Sequence, residues 1–189
     1  PSGGCLVDAC CLPGSSGRLC VAAAGKWAVC LWTQSSASAW SLTHTWSFNE
    51  MVINVFAVPD AAGLICVTLG QLEIREVRIL SCSSHSQASL CGGSVQTVVG
   101  VSKSRVVTLS HSASGSDLRA FTLSDSGSTL SSRPLVSPGV CVGALSPVQG
   151  LPDALIGTDD NQQLFIWEYY LSCCSISSSA PTRKKERFQ

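Results

Sequence analysis

Eleven cysteines and three histidines are the residues of this chain best suited to metal or nucleophilic chemistry. Their spacing serves neither. Cys10-Cys11 and Cys173-Cys174 are adjacent pairs, and no Cys-x2-Cys occurs, so no zinc or iron–sulfur centre is expected. Cys20, Cys30, Cys66, Cys82 and Cys141 stand singly inside apolar runs, the setting of buried reduced thiols in a reducing compartment. His44, His85 and His111 are far apart and lack a neighbouring Asp or Glu to orient them as bases. Serine is abundant, yet no Gly-x-Ser-x-Gly elbow is present, and no Gly-rich loop ending in Lys follows an apolar run. Asp159-Asp160-Asn161 has the composition of a cation site but reads better as a hairpin turn. The residues therefore predict no catalysis, no cofactor and no metal.

Binding chemistry has more to work with. Of five tryptophans, Trp27 falls between two apolar runs, in a turn, and is the candidate partner contact. Trp32 and Trp167 sit inside apolar runs and are expected to be core. Glu73, Arg75, Glu76 and Arg78 alternate with Leu72, Ile74 and Val77. That pattern reads as a solvated strand face with cross-strand ion pairs, and as an inter-blade layer that includes Ile74.

The elements that carry these residues repeat. Residues 64–69 are almost wholly apolar, as in a strand buried on both faces; after a turn at Gly70-Gln71 a half-wet strand follows, with a bulge expected near Glu76. The same hairpin recurs at 19–33, 105–123 and 154–168. Aligning the second strands puts Trp32, Arg75, Phe121 and Trp167 in register, at steps of 43, 46 and 46 residues. A repeat of roughly 40–45 residues with four strands each marks an all-β, WD-repeat-like β-propeller. Blades are expected near 1–48, 49–93, 94–138 and 139–172. Residues 173–189 turn Ser-rich and then basic (Arg183, Lys184, Lys185, Arg187), which predicts a disordered tail.

Composition agrees. Hydrophobic residues make up 45% and charged ones 13%, and formal net charge is zero, which argues against a nucleic-acid surface. No run of about 18 apolar residues occurs, so no membrane-spanning helix is expected. The start at Pro1 and the change of character after Glu168 lead us to expect a piece of a longer protein, or a shortened form of one.

Thr45-Trp46-Ser47-Phe48, Val58-Pro59-Asp60, the whole block from Leu64 to Arg78, and Cys82-Ser83-Ser84 closely resemble one family: the C-terminal WD-repeat domains of the partner and localiser of the breast-cancer type 2 susceptibility protein. Val148-Gln149-Gly150, the run 154–158 and Ile166-Trp167 fit the same domain. The resemblance covers roughly residues 2–168. It implies a seven-bladed propeller, of which about three to four blades are present here. It implies a nuclear, tumour-suppressing scaffold in homologous-recombination repair of DNA double-strand breaks. Such a scaffold grips a peptide of the susceptibility protein and contacts the strand-exchange recombinase; its DNA-binding segments and coiled coil lie outside this domain. No pocket residue is carried over. The residues alone also admit a WD-repeat-like adaptor of another pathway, or a truncated propeller without function.

Overall fold

A computed structural model describes residues 5–14, 17–113, 115–136 and 139–168, with the backbone of 173–176. These residues form four antiparallel sheets of four strands, each meandering in chain order. The first sheet holds β1 (Asp8–Pro13), β2 (Leu19–Ala24), β3 (Ala28–Gln34) and β4 (Trp40–Ser47). The second holds β5 (Val52–Ala57), β6 (Leu64–Gly70), β7 (Ile74–Ser81) and β8 (Gln87–Val95). In the third are β9 (Thr97–Val101), β10 (Arg105–Ser112), β11 (Gly115–Leu123) and β12 (Thr129–Pro134). The fourth holds β13 (Val142–Pro147), β14 (Ala154–Asp159), β15 (Leu164–Glu168) and β16 (Cys173–Ile176). This is the all-β blade array that the repeat predicts. β16 pairs with β15 inside the segment whose composition predicts a tail, because the outer edge of β15 offers a ladder to any extended chain that follows. The basic cluster at 183–187 lies outside the described residues.

The sheets stack face to face in sequence, and each interface is its own apolar layer. Leu12, Ala22, Val29 and Leu31 of the first sheet meet Val55, Ile65, Val67 and Leu69 of the second. The opposite face of the second sheet, with Leu64, Cys66, Val77 and Ile79, meets Val106 and Leu123 of the third. Val107, Leu109, Leu118 and Ala120 then meet Leu155, Phe165 and Trp167 of the fourth. Strand β6 feeds two interfaces at once, so all seven of its residues are buried. That explains its unbroken apolar run.

Three expectations about parity need correcting. Arg75 is the extra residue of a bulge: Gly70 pairs with Ile74 and Leu69 with Glu76, so Arg75 has no β6 partner and points to solvent. Ile74 is consequently half-buried at the edge of its layer, and Val77 takes the fully buried place. A second bulge, between Leu31↔His44 and Trp32↔Leu42, leaves Thr43 as the extra residue of β4. It turns Trp46 into the core while Trp40, Leu42 and Trp32 stay on the outward face, 43%, 51% and 37% exposed. Trp32 is thus no core residue, whereas Phe121 and Trp167 are buried. The bulge that the sequence places near Glu76 falls at Arg75, whereas nothing in the spacing marks the one in β4; each exchanges the two faces of its own strand.

Candidate functional site

Strand hairpins alternate between the two ends of a blade, so the β2–β3 and β6–β7 turns share one face of the array. The chain ties these turns together. The Val52 amide donates to the Lys26 carbonyl at 2.9 Å, the Phe48 amide to the Trp27 carbonyl at 2.9 Å, and the Gly70 amide to the Met51 carbonyl at 2.8 Å. The connection between the first two blades therefore runs between the two turns and fixes both. Trp27 stands on the first, 45% exposed, with the Lys26 ammonium 5.5 Å from its ring centre. Leu72 stands on the second and is fully exposed. Its turn depends on Gly70, whose φ is 156° and where a Cβ would lie 1.9 Å from the Glu73 carbonyl oxygen. Trp27 is where the sequence reading puts it. Leu72 is not: the alternating pattern places it inside a strand, but the strand begins two residues later. No signal in the sequence separates the two readings, since a Gly equally marks a two-residue hairpin; in the structure β6 ends at Gly70 and β7 begins at Ile74, which leaves residues 71–73 in the turn.

A wide apolar tip on each of two adjacent turns, with Lys26 beside the first, is suited to contact with a protein surface. Aromatic and aliphatic anchors supply most interface energy, and rim charges orient the partner.

The remaining candidates are accounted for within the fold. Arg78 forms a two-pronged ion pair with Glu76 at 2.9 and 3.1 Å and donates to the Gln87 side chain at 3.0 Å. The ion pair runs along one strand, between residues two apart on one face, and only the amide contact crosses strands. Glu73 accepts from Ser94 at 3.3 Å. Asp159 spends one carboxylate oxygen on the amides of Asn161 and Gln163, at 2.9 and 2.8 Å, closing the turn; the left-handed residue is Gln162. His44 and His85, remote in sequence, stack with ring centres 4.5 Å apart, and Trp46 packs edge-on against His44 at 4.7 Å. His111 is bonded to Ser116 in the third blade. Burial pushes the Cys66 thiol well above its ordinary value, and raises Cys10 to about 12 and Cys82 to about 11. Such thiols stay protonated and are poor nucleophiles or ligands.

At the other end of the blades an ionic line joins three consecutive repeats. Asp60 of the second blade accepts from the Lys103 amide at 2.9 Å. The Lys103 ammonium reaches Asp153 of the fourth blade at 2.7 Å, and buried Arg105 pairs with the same carboxylate. Arg105 also donates to the Ser102 carbonyl at 2.8 Å. Hydrogen bonds from Lys103 and then Arg105 hold the Asp153 carboxyl below its ordinary 3.8. No spacing in the sequence points to this line, because its members come from three separate loops.

The comparisons with known proteins agree with this architecture. Residues 1–175 match the family model described as the partner and localizer of BRCA2 WD40 domain. The chain is 34% identical over 175 residues to the partner and localizer of BRCA2 of Mus musculus and, equally, to that of Homo sapiens; 88% of this chain is aligned in each case. It spans only 16% and 15% of those relatives. Among solved structures, the computationally designed Ika4 protein superposes with a TM-score of 0.56 at 14% identity, over 89% of this chain and 93% of that one, a likeness of fold alone. On the family match and the shared identity, this chain belongs to the partner and localizer of BRCA2 WD40 domain family.

Proposed function

We propose that the chain is part of a non-catalytic scaffold that binds BRCA2 and the strand-exchange recombinase in the nucleus, and so serves homologous-recombination repair of double-strand breaks. Family membership carries this reading: the relatives are named for partnering and localising BRCA2. The physical character of the array supports it. Its histidines and most of its buried thiols are taken up in packing, while one face presents Trp27 and Leu72 on turns fixed by backbone hydrogen bonds. As the family resemblance implies, contacts with DNA belong to segments outside this chain, and a formal net charge of zero fits that reading.

The test is depletion of the endogenous protein in cells carrying a gene-conversion reporter, followed by re-expression. Depletion is expected to lower gene conversion and recombinase foci, and the unaltered protein to restore both. Re-expression of the Trp27→Ala, Leu72→Ser double variant is expected to restore them only in part. Undiminished repair after depletion would refute the reading.

A further inference from the structure

We propose that the edge strand β4 and the cleft beside it form a docking site for an extended, uncharged, apolar peptide segment of a partner protein. The site lies at the junction of the first and second blades. It is separate from the Trp27–Leu72 face and does not depend on which partner the scaffold serves.

Two observations meet there. The first is a free ladder. β4 is the outermost strand of its sheet, so one row of its backbone N–H and C=O groups faces solvent. Five of its first six residues, Trp40 to Thr43 and Thr45, are exposed. Such an edge is matched by polypeptide in extended form, through main-chain hydrogen bonds that no small molecule reproduces. The second is a half-open cavity of about 590 Å³ between the two blades. Ser41 and Thr43 of β4 line it, so a strand added to the edge sends every second side chain into it. The bulge that makes Thr43 the extra residue of β4 is what brings both hydroxyls to this wall.

The lining selects the occupant. Leu12, Leu31 and Cys20 form the apolar floor, with Cys82 on the wall from the second blade. Among the described residues no Asp, Glu, Lys or Arg lines the cavity, and the Cys82 thiol, raised to about 11, is neutral at physiological pH. A charged side chain would lose its hydration there without a partner. Thr33 and Thr43 bond each other at 2.8 Å, which leaves the hydroxyl rim able to meet at most a backbone carbonyl or a neutral polar tip. On the opposite face of β4, Trp40 and Leu42 are exposed and would flank the alternate side chains of the added strand. A segment apolar on both faces fits; an amphipathic helix, which offers no free ladder, does not.

The experiment selects linear peptides from a phage-displayed library on the 189-residue chain and titrates a synthetic winner by fluorescence anisotropy. The expected winner has apolar residues at alternate positions and no charge at those facing the cavity. Ser41→Trp, which fills the cleft, and Thr43→Lys, which charges it, should each weaken binding by about tenfold or more, a loss of about 1.4 kcal/mol or above. Ser89→Trp on the exposed edge strand β8 should leave it unchanged. Both cleft positions are exposed, so folding should persist and is checked by the melting curve. N-methylation of alternate peptide residues, tested on the unaltered chain, should abolish binding in a two-residue rhythm, which mere hydrophobic adhesion would not show. The proposal is overturned if no peptide is selected, if the cleft variants bind normally, or if N-methylation is without effect. It is equally overturned if light scattering shows the chain pairing with a second copy through β4, with Ser41→Trp dissolving the pair.

Discussion

Trp46 donates its indole N–H to the backbone carbonyl of His85 at 3.1 Å and thereby fastens the outer strand of the first blade to the second. The His44 ring stacks on that of His85 beside it. The fourth blade is fastened to the third in the same way, by Trp167 and the Val136 carbonyl at 2.9 Å. Each tryptophan is buried, so each satisfies its one polar group on the neighbouring repeat and cannot be replaced by a ring without a donor.

Trp167→Phe should therefore cost about 1–2 kcal/mol, the price of one buried hydrogen bond and a little volume. Trp167→Ala should cost about 3–5 kcal/mol through the cavity it opens. Urea unfolding of the two variants side by side measures the difference. A negligible loss for Trp167→Phe would mean that the indole N–H contributes nothing.

The bulge at Arg75 makes a sharp distinction on β7. Val77→Asp buries an unpaired carboxylate between the second and third blades and should destabilise by about 4 kcal/mol or more. Ile74→Asp, at the half-exposed end of the strand, should cost clearly less. A larger thermal shift for Ile74→Asp would place the bulge elsewhere.

Acid should attack the line between the third and fourth blades. The Asp153 carboxyl is held below 3.8 in the folded chain, so it binds fewer protons there than when unfolded. The stability it contributes is complete above about pH 4 and is lost as pH falls through its folded value. Asp153→Asn should lower the melting temperature at neutral pH and flatten its fall in acid. An acid limb as steep as that of the unaltered chain would assign the effect to other carboxylates.

Alkali should act through the thiols, with the opposite sign. Cys10, Cys82 and Cys91 are raised to about 12, 11 and 11, and Cys66 well above its usual value, all chiefly by burial. Folding therefore retains protons, and this contribution is present below about pH 9 and declines as pH rises toward the folded values. Maleimide at about pH 8 should label exposed Cys5, Cys11 and Cys141 first and Cys66 only on unfolding. Early labelling of Cys66 would show that the second sheet opens.

The blade repeat, the doubly buried strand at 64–69 and the turn position of Trp27 are legible in the sequence, because each is set by local periodicity or by a short turn. Which face a residue takes is less legible. Trp32 and Trp167 sit in similar apolar runs, yet Trp32 alternates with buried Val29 and Leu31 and so stays outside, while Trp167 shares the parity of buried Phe165 and is carried in. Leu72 belongs to the pattern of β7 but stands on a turn stretched by Gly70. The Asp60–Lys103–Asp153 line and the His44–His85 stack join residues more than 40 positions apart, and only the stacking of consecutive blades brings them together.

The most direct test of the scaffold reading is immunoprecipitation of the endogenous protein through an epitope within this chain, with BRCA2 and the strand-exchange recombinase measured in the precipitate. The account predicts that both co-purify, and that the Trp27→Ala, Leu72→Ser variant retains less of at least one while its melting temperature is unchanged. Absence of both from a precipitate of folded protein would contradict it.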